Sequence, residues 1–471
     1  MNRFLLLDSS VVKAVRDATL QPGSPAKDLR NPLFREQYWD DADPKRWEAR
    51  YDNVYPSVVY DGQSGLYRAW YKSFVEDTCS ERTPPEKRPG AAWGTDSRRR
   101  GLLYASSADG LIWEKPDLGI VEFRGSKENN IVLLDVEGGV FHDAHDPDPL
   151  RRFKFFGRVN KGETGMVGIA SPDGLHWSSP EPWPRHGAKA DTHNNAIWAP
   201  DLCRYVGITR NFDGYVRLVL RTESEDFISW SDPVEIMRGQ DPYDELYSMP
   251  IFQYANVYIG LLAVMHGSPK YGTDTSVSEW NKVTTELAWS PDTVTWHRIC
   301  PGQPLIPLGQ GNYSDGEYDC GCIYAAAPIV KDDAILLYYG GSNGLHNHWR
   351  EGSFNLARLR LDGFAGYAAD SGAVGSLETA PFNIEGRMCQ VNADIESGGS
   401  LRMAVLDASG CPIPGYSTAD CEPFTWSVVD GSPRWGGLDL APLRGRTVCF
   451  RFQFDKAMLY SLAGDLKPKA D

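Results

Sequence analysis

The sequence has no apolar run near the roughly 20 residues that a membrane-spanning helix needs. Its start, Met1-Asn2-Arg3-Phe4-Leu5-Leu6-Leu7-Asp8, stops being apolar after four residues, short of a signal peptide's core. As it stands the chain is expected in the cytoplasm, or in a secreted or periplasmic setting if a leader has been removed. Positive charge is also short: 48 Lys and Arg against 63 Asp and Glu leave a formal net charge of −15. That balance repels phosphate backbones and anionic lipid surfaces, so neither nucleic acid nor membrane is expected as a partner. Cysteine is sparse. The nine are odd in number and scattered from Cys79 to Cys449 without repeated spacing, which excludes a disulfide framework and reads as buried free thiols. No Gly-rich phosphate loop, Ser nucleophile elbow or Cys-x-x-Cys is present, and no metal ligand set has standard spacing.

What the chain does have is aromatics and turn residues: 15 Trp, 22 Tyr and 18 Phe, with 46 Gly and 32 Pro. This composition favours strands joined by many turns. It also suits a sugar site, where rings stack on sugar faces. At 471 residues, two domains are expected.

One pattern recurs: Ser106-Ser107-Ala108-Asp109-Gly110-Leu111-Ile112-Trp113, then Ser171-Pro172-Asp173-Gly174-Leu175-His176-Trp177. Weaker copies end at Trp230 and Trp296, after Asp226 and Asp292. Asp-Gly between strand residues is a tight turn, and the Trp packs the sheet. Between these copies lie five hairpins, beginning near Tyr55, Gly139, Asn195, Leu246 and Cys322, each with an aromatic-rich or apolar return strand. Five hairpins with four Trp turns between them predict an all-β fold, a five-bladed β-propeller, over residues 1–370. Residues 1–45 form an N-terminal strand and lead-in, and Arg3 to Asp8 is expected to close the ring against the last blade. From 371 to 471 the alternation changes to that of a C-terminal β-sandwich.

In a propeller the inner strands line a central funnel. The residues taken to precede them are acidic in every blade: Arg50-Tyr51-Asp52-Asn53, His142 to Asp148, Asp191-Thr192-His193-Asn194, Asp244-Glu245 and Asp315 to Asp319. Converging carboxylates push one another's pKa upward, which glycoside hydrolysis uses to pair a protonated acid with an ionised base or nucleophile. The catalytic candidates are Asp52, Asp143, Asp191 and Glu245. Arg50, Asp146, His193, Arg210, Glu317, Asp319 and His346 are expected to bind substrate. No cofactor is called for, although a structural calcium ion on the axis remains open because hard cations favour oxygen clusters.

The text Trp47 to Tyr55, Asp109 to Pro116 and Gly125 to Val132 resembles a set of bacterial proteins with a family-32-like N-terminal domain. The whole arrangement is similar to the invertases and fructanases of glycoside hydrolase family 32, and more distantly to the arabinanase group of family 43. The resemblance implies a nucleophile in Asn-Asp-Pro on blade one, a stabilising Asp in Arg-Asp-Pro on blade two and an acid/base Glu in Glu-Cys on blade three. Here Asp52 stands at the first place, before Asn53 and Val54, and Asp143 at the second, in His-Asp-Ala. The third has no match: blade three offers Asp191, and the nearest Glu is Glu245 on blade four. The expected function is a glycoside hydrolase acting on an oligo- or polysaccharide. The alternatives are a non-catalytic glycan-binding propeller and a glycoside phosphorylase or lyase on the same scaffold. Self-association as a homo-oligomer stays open.

Overall fold

A computed structural model of the chain describes residues 2–160, 165–180, 183, 187–214, 216–240, 244–267 and 281–469. It is a five-bladed β-propeller joined to a β-sandwich. Blade one is Ser57–Asp61, Leu66–Asp77, Arg98–Ser107 and Ile131–Leu134, paired in that order. Blade two has three described strands, Val136–His142, Phe153–Val159 and Gly165–Ser171. Blade three is Asn195–Ala199, Arg204–Asp213, Val216–Ser224 and Val234–Arg238. Blade four begins with Asp244–Ser248 and Ile251–Tyr254, both on Val257–His266, and continues through Val283–Ser290 to His297–Ile299. In blade five, Cys322–Ala325 and Ile329–Lys331 pair with Ala334–Ser342, followed by Gly352–Arg360.

The inner strands of all five blades face one axis, around a channel of about 390 Å³ lined by Ser57, Gly139, Asn195, Ile251 and Ile329. Neighbouring blades are tied there by polar contacts. Val140 donates its backbone N–H to Ser57 Oγ at 3.0 Å, Gly139 to the Asn194 carbonyl at 2.7 Å, and Ile251 to Asn195 Oδ1 at 3.0 Å. Apolar residues on the blade faces do the rest of the packing, since each strand buries both sides between neighbouring sheets.

The repeated Ser-x-Asp turns share one hydrogen-bond pattern. Asp109 Oδ1 accepts the backbone N–H groups of Leu111 and Ile112, and Ser107 Oγ accepts that of Gly110. Asp173, Asp226 and Asp292 accept in the same way from the residues two and three positions on. Each turn then docks on the preceding blade. Tyr338 Oη donates to the Gly110 carbonyl, Trp70 Nε1 to Gly174, Arg151 to Asp226 and Arg221 Nε to Thr293 Oγ1. The turns are thus staples between blades, and their tryptophans pack on sheet aromatics, as Trp113 does on Tyr338 and Phe354.

Closure of the ring differs from expectation. The N-terminal strand Asn2–Leu5 pairs with Thr447–Pro468 of the sandwich, not with the last blade. Val12–Arg16 and Ala18–Pro22 also join the sandwich sheet. Blade five is completed instead by Ala26–Lys27 and Phe34–Arg35 on Gly352–Arg360. The physical reason lies in the apolar run at the start. Phe4 and Leu6 enter the sandwich core, while Leu5 and Leu7 face the core of blades four and five. A strand buried on both faces belongs at an interface, where no alternation is needed. All nine cysteines are free thiols, with Cys320, Cys322, Cys389 and Cys421 buried but Cys203 and Cys411 exposed.

Candidate functional site

The starts of the five inner strands lie at one end of the axis, because all five run the same way from mouth to channel. The floor there is aromatic. Tyr55 stacks on His193 with ring centroids 4.6 Å apart and meets Tyr324 at 5.1 Å, and Tyr247 meets His346 edge-on at 4.8 Å. Hydrogen bonds cross between blades and fix these rings. Asn53 Nδ2 donates to Tyr247 Oη at 2.8 Å, Ser248 Oγ to Tyr55 Oη at 2.7 Å, and Thr192 Oγ1 to the Tyr247 carbonyl at 2.6 Å. Burial keeps both imidazoles neutral: His193, with Lys72 nearby, is pushed down to about 3, and His346 falls well below its usual range beside Arg350.

Asp52 enters this floor from blade one. Arg350 Nη2 donates to its Oδ1 at 2.5 Å and to Asn53 Oδ1 at 3.1 Å. Lys72 and Arg50 each approach the carboxylate to 4.0 Å. Burial alone would raise the Asp52 carboxyl, but Lys72, Arg350 and Arg50 together hold it far below the usual carboxylate range. Arg50 is itself buried, pairs with Asp77 at 3.2 Å and lies within 5.5 Å of the Phe74 and Trp93 rings; burial brings it down to about 10.

Asp191 sits at the mouth with its side chain 52% exposed, 3.5 Å from Arg210, 3.5 Å from Arg158 and 3.9 Å from Arg100. These three outweigh desolvation and lower its pKa. Lys72, Arg100 and Tyr247 act electrostatically on or with both Asp52 and Asp191, so the two carboxylates share one field. Glu245 is ion-paired to Arg217, whose guanidinium lies 5.4 Å from the Tyr247 ring, and Arg210 donates to the Tyr247 carbonyl at 3.2 Å. The structure therefore brings together Asp52, Asp191, Glu245, Arg50, Arg210, His193 and His346.

It does not bring in the others. Asp143 follows the inner strand Val136–His142 instead of preceding it, which puts it at the channel end, a strand length from Asp52. There it accepts from Tyr205 Oη at 2.7 Å and lies 3.5 Å from Lys154. Asp146 is held in the same place by Lys154 at 2.6 Å and Arg151 at 2.7 Å. Asp319 points into blade five, where Lys27 of the closing strand and Tyr339 Oη reach it at 2.6 and 2.9 Å; burial raises its pKa. Glu317 caps its own loop by accepting from the Gln310 backbone N–H.

The residue that stands on blade two in place of Asp143 is Glu137. It is buried, with Arg100 at 3.1 Å, Lys72 at 3.5 Å and Arg158 at 3.7 Å. A lone acid within the apolar run Val136-Glu137-Gly138-Gly139-Val140-Phe141 was the signal available for it. Tyr55, Tyr247, Tyr324 and Arg350 were likewise missed, because a ring in or beside a strand reads as core and a lone cation in a loop reads as surface. Among the described residues no three His, Cys, Asp or Glu side chains form a ligand set. Each mouth carboxylate already faces cations, and a calcium ion there would have to displace them.

No family model matches the chain, and no curated protein does, so the likeness to families 32 and 43 finds no counterpart there. Among solved structures, one reported with the finding that the GH130 family of mannoside phosphorylases contains hydrolases of β-1,2-mannosidic linkages is 15% identical. It covers 72% of this chain and 94% of its own, with a TM-score of 0.47. The β-1,2-mannobiose phosphorylase of Listeria innocua is 13% identical over 72% of this chain and 97% of its own, also at 0.47. A glycoside hydrolase candidate from Parabacteroides distasonis is 14% identical over 72% and 96%, at 0.46.

Proposed function

We propose that the chain is a carbohydrate-active enzyme that hydrolyses a glycosidic bond at the mouth of the funnel. The observation that carries this reading is the pair of carboxylates, Asp52 and Asp191, sharing one cationic field above a floor of Tyr55, Tyr247 and Tyr324. Aromatic faces take the apolar sides of a sugar ring, and fixed polar groups orient its hydroxyls. Asp52, kept ionised by Arg350, Lys72 and Arg50, has the state a nucleophile or base needs. Three arginines hold Asp191 ionised, which leaves Glu245, beside Arg217 at the same mouth, as the candidate proton donor.

A second reading, phosphorolysis, is favoured by the number of cations on the mouth, which suits a phosphate as the attacking group. A panel of aryl glycosides and of plant and algal polysaccharides, run with and without inorganic phosphate, separates the readings. Free sugar released in phosphate-free buffer supports hydrolysis. Sugar 1-phosphate formed only with phosphate supports phosphorolysis. Saturable binding without turnover of any bound glycan leaves the glycan-binding propeller as the account.

A further inference from the structure

The wall of the mouth built by blades one to three carries more positive than negative charge. Lys72, Arg100, Arg158 and Arg210 meet there around two carboxylates, Glu137 and Asp191. Lys72 also reaches Asp52, but Arg350 already holds that carboxylate at 2.5 Å. Among the described residues this wall is therefore left with an excess of cations, in a chain whose formal net charge is −15. Among the described residues the buried Nε–H groups of Arg158 and Arg210 have no hydrogen-bond acceptor. Arg210 is all but fully buried, so its charge was taken out of water at a cost that the half-exposed Asp191 offsets only in part. An arrangement of this kind is complete when a further anion arrives.

We propose that this wall is a subsite for the carboxylate of an acidic sugar, so that the substrate class is a uronate-containing glycan. The proposal rests on the hydrolase reading of the same funnel and narrows its substrate. A carboxylate fits the planar forks of Arg100 and Arg158, each of which can present two parallel N–H groups. Unlike inorganic phosphate, it comes attached to a sugar ring that can be held at the same time. The sugar ring attached to it then lies over the tyrosine floor.

The test is binding, which does not require turnover. Ligand-observed NMR and calorimetry on the whole chain, at 50 mM NaCl, would compare glucuronate, galacturonate and mannuronate with their neutral parent sugars and with inorganic phosphate. At least one uronate should bind roughly tenfold tighter than its parent and weaken on moving to 300 mM NaCl. Arg158→Gln should remove most of that preference, whereas Arg158→Lys keeps much of it and Arg238→Gln, on the exposed edge of blade three, keeps all of it. Thermal melts confirm that each variant is folded. If no uronate is preferred over its parent, or if Arg158→Gln leaves the preference intact, the subsite is wrong. Phosphate binding that depends on Arg158 without any uronate preference would overturn it too, in favour of a free phosphate. Failure of the hydrolase reading shows separately, as absence of free sugar in phosphate-free buffer.

Discussion

Asp52 is buried against three cations, of which Arg350 has no other carboxylate among the described residues, so neutralising it has two effects. In Asp52→Asn the side chain keeps its shape but leaves the buried Arg350 without its carboxylate, while Lys72 and Arg50 keep Glu137 and Asp77. Hydrolysis should fall by at least a thousandfold if Asp52 attacks or activates water. Stability should fall as well, by about 3 kcal/mol at pH 7, the usual cost of stranding a buried ion. Urea unfolding followed at several pH values checks the second effect. The folded pKa of Asp52 lies below the unfolded one, near 3.9. Its contribution is therefore complete above that value and is lost as the pH falls below it, and the acid limb of the stability curve should be shallower in the variant. Activity must be compared at a temperature where both proteins are folded.

At the scale of the element, the Ser-x-Asp turns do more than reverse the chain. Gly174 has φ +71°, and a Cβ there would meet the Trp70 ring at 2.4 Å, because the turn of blade two is pressed onto blade one. Gly119 has nearly the same φ, +70°, with nothing within 4 Å. Gly119→Ala should cost about 1 kcal/mol, the penalty of left-handed backbone alone. Gly174→Ala should cost about 3 kcal/mol, and the gap between their urea midpoints measures the docking. Equal midpoints would mean that the staple yields freely. The turns were legible because every part of the signal is local: Ser, Asp and Trp at fixed offsets. Their docking was not, because it depends on which blade precedes. The phase of the strands was harder still. In blade two the sequence could not say whether Asp143 stands before or after its inner strand. The Val136–His142 run contains glycines and a buried Glu137, and so resembles a loop leading into a strand. Asp52, Asp191 and Glu245 came out at one end because their strands announce themselves with Val54-Tyr55, Asn195-Ala196-Ile197-Trp198 and Leu246-Tyr247.

For the whole molecule, the ring is held shut at Glu36. Its carboxylate accepts the backbone N–H of Tyr51 in blade one at 2.8 Å and of Gly352 in blade five at 3.1 Å, with Arg88 at 3.6 Å. Burial, with a smaller push from Glu351, raises it to about 7 against Arg88 and those two N–H groups. A folded pKa above the unfolded one means that its contribution is full below about pH 4.3 and is lost as the pH climbs through 7. Glu36→Gln should therefore flatten stability between pH 5 and 8, a range over which the wild type loses on the order of 1 kcal/mol per pH unit from this group. Midpoints of chemical unfolding across that range would check it; parallel curves would mean that Glu36 is ionised throughout. The strands on either side of this clasp also set a calendar. Phe4 pairs with Leu462, Leu20 with Tyr367 and Phe34 with Phe354, so each of these strands must wait for a partner that is made much later. Until then this apolar segment must wait beside a ring with one blade unfinished. A polypeptide released after residue 370 never ends that wait, and should be recovered in the insoluble fraction while the full chain stays in solution.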